Sequence, residues 1–122
     1  MNKKYYITTP IYYVNDKPHL GHAYTTIAVD VAARFHRING KQVKFLTGTD
    51  EHGQKVDKAA HTKSVPCQEF VDEVSGRFKE LVNANIGSNL LNITNTNFIR
   101  TTEASHHKAA QSFWQLLVKN GY

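Results

Sequence analysis

The stretch His19-Leu20-Gly21-His22 sets two imidazoles three positions apart with a glycine between them. On a helix that spacing puts both rings on one face, one turn apart. Gly21 removes a side chain, so a flat ligand can approach the backbone closely. A helix N-terminus adds unpaired N–H groups and a partial positive charge. These parts suit a phosphate that gains negative charge during a reaction, such as a nucleotide α-phosphate attacked by a carboxylate. Plainer readings compete. A chain with seven His can carry this tetrapeptide by chance, or as two surface residues on one turn. A zinc site is disfavoured, because the chain has one Cys and no second ligand pair at metal spacing.

The surrounding elements decide between these readings. Tyr5-Tyr6-Ile7-Thr8-Thr9 is β-branched and aromatic and predicts a strand that Pro10 ends. Ile11-Tyr12-Tyr13-Val14 is expected as an apolar loop, and Asn15-Asp16-Lys17-Pro18 as a turn. Leu20, Ala23, Tyr24, Ile27, Ala28, Val31, Ala32, Phe35 and Ile38 then recur at helical spacing, with Gly40 as the stop. The histidines therefore open a helix that follows a strand, where open α/β sheets bind nucleotides. Val43-Lys44-Phe45-Leu46 predicts a second strand, running into Thr47-Gly48-Thr49-Asp50-Glu51-His52-Gly53. Strand, helix, strand implies a parallel unit with both polar loops at one sheet edge. Asp50 then faces the loop over 11–13; its alternative role is a cap for a helix from Gly53 onward.

Further on, Pro66 opens a helical pattern of Phe70, Val74, Phe78, Leu81 and Val82, expected to end near Gly87. Phe98-Ile99-Arg100 is expected as a short strand. Thr101 or Thr102 is expected to cap a last helix carrying Ala109, Phe113, Trp114, Leu116 and Leu117, stopped at Gly121. Arg100 is expected in a structural ion pair, or at the site's rim. His106 and His107 are expected in solvent.

Five blocks in order resemble the class I aminoacyl-tRNA synthetases, and within them the methionyl-tRNA synthetases. They are Pro10-Ile11-Tyr12-Tyr13-Val14-Asn15, Pro18-His19-Leu20-Gly21-His22-Ala23-Tyr24-Thr25, Thr47-Gly48-Thr49-Asp50-Glu51-His52-Gly53, Ser75-Gly76-Arg77-Phe78 and Phe98-Ile99-Arg100-Thr101-Thr102-Glu103. The resemblance covers nearly the whole chain; the Asn-rich stretch 85–97 is longer than the family pattern. It implies a methionine–tRNA ligase that makes methionyl-adenylate from methionine and ATP and passes the methionyl group to tRNA(Met). It implies His19 and His22 as catalytic groups, with Gly21 beside them for ATP. Pro10, Ile11, Tyr13 and Asp50 are implied for methionine: Ile11 through a backbone carbonyl, Tyr13 at the thioether, which gains from aromatic contact, and Asp50 at the ammonium. Tyr12 is expected as core or as a neighbour only.

The expected fold class is α/β: an incomplete Rossmann-like, doubly wound parallel nucleotide-binding fold, N-terminal half only. A complete fold of this kind has about five or six strands, against two clear strands and a doubtful third here. The second family signature, of the Lys-Met-Ser-Lys-Ser type, is not matched; Lys63-Ser64 is too short. Residues 1–122 are therefore expected to be the N-terminal part of the catalytic domain. The connective insertion, where the family's zinc would sit, and the anticodon-binding helices are not found in this sequence. An incomplete sheet implies an open edge, uncovered apolar helix faces and a chain that needs the rest of its domain to fold.

Composition agrees. Lys plus Arg is 15 against 10 acids, a net charge of +5, which suits ATP and tRNA without specifying either. The single Cys67 excludes an internal disulfide and fits a reducing compartment. No apolar run follows Lys3-Lys4, so neither a signal peptide nor a membrane span is expected, and a cytoplasmic location is. ATP is expected with Mg2+ as substrate, and no metal site is expected in this chain. Two rivals stay open: a small nucleotidyltransferase with the same histidine pair, and a synthetase-like binding module without catalysis.

Overall fold

A computed structural model describes residues 3–82 and 91–122. The N-terminal part of the stretch 85–97, and the expected helix end near Gly87, lie outside the described residues. The elements run β1 (Lys4–Thr8), β2 (Tyr12–Tyr13), α1 (Leu20–Ile38), β3 (Gln42–Asp50), α2 (Gln54–Thr62), α3 (Cys67–Val82), β4 (Asn97–Arg100) and α4 (Ala104–Lys119). The expected loop over 11–14 contains a two-residue strand instead. Pro10 breaks β1, and the chain then rejoins the sheet.

Among the described residues all strand pairs are parallel, and β3 pairs with each of the other three strands. Leu46 is in register with both Thr8 and Asn97, and Thr49 with both Tyr12 and Arg100, so β3 runs through the centre. Parallel strands need crossovers that cover a face, and α1 packs on β1 and β3 while α3 packs on β3. Alternation along β3 sends Phe45, Thr47, Thr49 and Glu51 into that covered face, all four buried. Tyr6 and Lys44 lie on the opposite face and are exposed. The expected α/β fold with a parallel sheet is therefore what forms.

The core has two parts. Ala33, Phe45, Val82 and Ile93 join α1, β3 and α3, while Tyr12, Val14, Val56, Phe70, Val74 and Phe78 lie beneath the carboxyl end of the sheet. The stripe that announces α1 is not the face it buries. Leu20, Tyr24, Ile27, Val31, Phe35 and Ile38 are exposed, and the buried residues of α1 are Thr26, Asp30 and Ala33. Ala33 lets the helix approach the sheet. Asp30 accepts from the Thr94 N–H at 2.8 Å and from Arg34 Nε at 2.6 Å, which ties the approach to β4 onto α1. Burial favours protonation of Asp30, but the hydrogen bonds from Thr94 and Arg34 outweigh it and hold the carboxyl below its usual range.

The last helix corrects one expectation. Its N-cap is Glu103, without a side-chain cap bond, and no residue of α4 is buried. The hydroxyls of Thr101 and Thr102 bond Glu51 instead. Gly121, at φ 81°, ends this helix as expected.

Candidate active site

His19 is the N-cap of α1 and His22 its third residue, and the two close a capping box. His19 Nδ1 accepts the Gly21 N–H at 3.1 Å, and His22 Nδ1 accepts the His19 N–H at 3.1 Å. A backbone N–H can only donate, so each Nδ1 keeps its lone pair and each neutral ring carries its proton on Nε2. The helix end thus fixes two tautomers as well as two positions. The ring centroids are 3.8 Å apart. Burial and the neighbouring charge of His19 push the pKa of His22 below its ordinary value, which favours the neutral donor form.

A wall supports His22 from behind. Tyr12 meets its ring edge-on at 4.8 Å and Phe78 at 5.0 Å, and Tyr12 stacks on Phe78. The Tyr12 hydroxyl bonds Thr26 Oγ1 at 2.9 Å. Tyr12 is therefore core, and at the same time the backing of a site residue. Gly21 has a use beyond ligand access: a Cβ there would lie 2.9 Å from His19 Cε1 and 3.0 Å from Nδ1. The ring of His19 fills the space a side chain would take.

A cavity of about 420 Å3 opens over this helix end, lined among others by Pro10, Ile11, Tyr13, His19, Gly21 and His22. Lys17 is on the same lining. From sequence Asn15, Asp16 and Lys17 read as turn residues only; a Lys two positions before an N-cap is the signal available for Lys17.

A second cavity, of about 540 Å3, shares Tyr13 and adds Asp50, His52, Gly53, Gln54, Lys55 and Val56. Tyr13 and Asp50 are register partners across β2 and β3. Alternation splits the tyrosine pair: Tyr12 is buried while Tyr13 is 58% exposed. Asp50 does not cap α2, whose N-cap is Gly53 with no side-chain cap bond. Gly53 takes φ 117° and ψ 164°, a shape that a Cβ resists, and so starts α2 directly after the acidic segment. Among the described residues Asp50 makes no side-chain hydrogen bond or ion pair. It is a carboxylate held at the mouth of a cavity. All the expected residues (Pro10, Ile11, Tyr13, His19, Gly21, His22 and Asp50) thus line two adjoining cavities at the carboxyl edge of the sheet. A further cavity of about 590 Å3 lies at the amino end of β1 and β3, around Lys4, Tyr6 and Lys44. That is the end where parallel α/β sheets do not place ligands.

Behind Asp50 lies a polar cluster that the sequence reading did not assemble. The Glu51 side chain is fully buried and takes both arms of Arg100, Nε to Oε1 at 2.7 Å and Nη2 to Oε2 at 2.9 Å. Arg100 also pairs with Asp72. Burial pushes the Glu51 carboxyl up, but bonds from Arg100, Thr102, Thr49 and Ser75 outweigh it and keep the group ionised. The same contacts raise the Arg100 pKa further above its already high value. Among the described residues, no group of three or more His, Cys, Asp or Glu is placed to hold a metal, and no helix is long and apolar enough to cross a membrane.

Residues 5–122 match the family model described as tRNA synthetases class I (M). The methionine–tRNA ligase of Rickettsia bellii is 58% identical over 121 residues, covering 99% of this chain and 23% of that protein. That of Thermotoga maritima is 52% identical over 118 residues, covering 97% of this chain and 18% of that protein. The chain thus spans less than a quarter of the length of these relatives. Among solved structures, Mycobacterium tuberculosis methionyl-tRNA synthetase in complex with methionyl-adenylate superposes with a TM-score of 0.89 at 45% identity, over 98% of this chain and 22% of that one. A ternary complex of the Agrobacterium radiobacter enzyme LeuRS, at 20% identity and a TM-score of 0.77, shares the fold. The histidine-capped helix, the parallel sheet and the match over 5–122 agree, and the chain belongs to the class I tRNA synthetases of the (M) type.

Proposed function

We propose that residues 1–122 form the N-terminal part of the catalytic domain of a methionine–tRNA ligase, and carry half of its adenylation site. The observation that carries this reading is the pair of adjoining cavities. One presents two Nε2–H donors, and the other presents an unpaired carboxylate beside an exposed aromatic ring. The names of the relatives and the methionyl-adenylate in the mycobacterial complex support it.

In the proposed reaction the methionine carboxylate, ionised at neutral pH, attacks the α-phosphorus of ATP. A P–O bond to the carboxylate forms, the bond to the bridging oxygen breaks, and pyrophosphate leaves. No general base is needed. His19 and His22 donate through Nε2–H to the phosphate as its charge grows, which is transition-state stabilisation. Lys17 adds positive potential at the same cavity. Asp50 pairs with the substrate ammonium, Ile11 and Pro10 border it through the backbone, and Tyr13 meets the thioether. A terminal ribose hydroxyl of tRNA(Met) then attacks the carbonyl of the adenylate and releases AMP. ATP enters with Mg2+ as substrate. Any zinc would sit in the connective insertion, outside residues 1–122, and the protein is assigned to the cytoplasm.

The test is pyrophosphate exchange into ATP by the full-length protein, with each amino acid supplied singly. Exchange that requires methionine is expected. Exchange that needs no amino acid but depends on another adenylyl acceptor, such as a mononucleotide, indicates a nucleotidyltransferase, and ATP binding with no exchange under any of these conditions indicates a non-catalytic module; either result overturns the proposal.

A further inference from the structure

Strand alternation puts Asp50 on one face of β3, and its neighbours Thr49 and Glu51 on the other. Both neighbours are buried against α3 and β4. Thr49 Oγ1 bonds Glu51 Oε1 at 2.7 Å and Ser75 Oγ at 3.0 Å. The Glu51 N–H donates to Thr101 Oγ1 at 2.8 Å, and the Thr101 N–H to the Thr49 carbonyl at 3.3 Å. The Glu51 carboxylate is forked by Arg100 and also accepts from Thr102. Two of these bonds hold the backbone on either side of Asp50, at the Thr49 carbonyl and the Glu51 N–H, while the others lock the side chains of Thr49 and Glu51; none involves the Asp50 side chain.

The location gives the cluster its meaning. β3 ends at Asp50, and the ladder with β2 ends at the same register, Tyr13 with Asp50. A strand end frays unless something holds it. A buried ion pair is a poor source of net stability, because desolvation cancels most of the attraction. It does impose one geometry, since a forked guanidinium and carboxylate fit in one plane. A bonding group needs placement to about 0.5 Å to act.

We propose that Glu51 and Arg100 are positioning residues, whose buried ion pair on the back of β3 holds the peptide that presents Asp50 to the substrate ammonium. This rests on the ligase reading above, in which Asp50 binds that ammonium. Neither residue touches substrate. Their loss weakens methionine binding while leaving the ATP side, built on α1, in place. The pair also links two segments that the sequence separates widely, 47–53 and 98–103.

The test uses the full-length protein with the substitutions Glu51→Gln, Arg100→Lys and Asp72→Asn, read by methionine-dependent pyrophosphate exchange and by thermal melting. Glu51→Gln keeps the shape but sets an amide NH2 against an Arg100 or hydroxyl donor. It is expected to raise KM for methionine about tenfold or more while KM for ATP stays within about twofold, the signature of lost binding at one substrate only. Arg100→Lys keeps the charge without the fork, and is expected to show a smaller rise of the same kind. Asp72→Asn, which touches Arg100 from the exposed side, is expected to leave both KM values within about twofold. A lower melting temperature with both KM values unchanged, or an equal rise in both, overturns the proposal. Should Glu51→Gln fail to accumulate folded, Arg100→Lys decides by the same criterion. Wild-type protein without methionine-dependent exchange refutes the ligase reading instead, so the two failures are distinct.

Discussion

Gly21→Ala separates the chemistry of the helix end from its stability. Alanine favours a helix over glycine by up to about 1 kcal/mol. The new Cβ would stand 2.9 Å from His19 Cε1 and 3.0 Å from Nδ1, so the ring must swing away. That breaks its bond from the Gly21 N–H and removes one arm of the capping box, a loss of roughly 0.5–2 kcal/mol. The two terms nearly cancel, and the melting temperature is expected to move little. On the proposed function, in which His19 donates to the phosphate, activity is expected to fall steeply, because one lost donor costs about 10²–10³ in rate. The measurement is pyrophosphate exchange beside thermal denaturation, both on the full-length protein. Gain of about 1 kcal/mol of stability with unchanged exchange would refute the reasoning, since it would mean that His19 needs neither the space nor the cap.

Three more outcomes are expected. Gly48→Ala puts a Cβ 2.1 Å from the Ile99 carbonyl oxygen, which is backbone and cannot rotate away. It should cost about 3 kcal/mol or more by forcing β4 off β3, read as a lower denaturant midpoint; an unchanged midpoint contradicts the β3–β4 register. His22 has a pKa below the ordinary 6.5 in the folded state, so the unfolded chain binds more protons as pH falls through that value. Its contribution to stability is complete above 6.5 and is lost below it. Replacing it with Gln, which keeps a capping-box acceptor, should flatten the slope of stability between about pH 7.5 and pH 5; an identical slope would assign it to other groups. The 122-residue chain alone exposes Leu20, Tyr24, Ile27, Val31, Phe35 and Ile38 on α1, and Phe113, Trp114 and Leu116 on α4. It should bind a hydrophobic dye strongly and melt without a sharp transition, and a monomer with a cooperative melt and no dye binding would contradict this.

Local signals were the legible ones. The limits of α1 follow from its periodicity, from Pro18 before it and from Gly40 after it, and the structure places them at Leu20 and Ile38. Parallel β1 and β3 follow from the strand–helix–strand order. The placement of the candidate residues His19, His22 and Asp50 at the carboxyl edge follows from where polar runs succeed apolar ones. The misses all involve long-range partners. An apolar stripe on α1 marks a helix but does not say which face this chain covers, because Asp30 is buried by bonding Thr94 and Arg34 from distant segments. Thr101 and Thr102 resemble caps, yet the Thr101 hydroxyl accepts from the distant Glu51 N–H and the Thr102 hydroxyl donates to the Glu51 carboxylate. A two-residue strand such as β2 is too short to carry a period, and only its register with Thr49 and Asp50 defines it. Arg100 is readable as an ion-pair residue, but its partner is not, because pairing across a sheet depends on register.

The most direct measurement is single-turnover formation of the adenylate by full-length His22→Ala protein, with ATP affinity determined alongside. The expected result is a rate constant lower by about 10²–10³ with ATP affinity nearly intact, since the donor acts on charge that exists only in the transition state. Equal losses in rate and affinity, or no loss of rate, would contradict the assignment of the imidazole pair to the reacting phosphate.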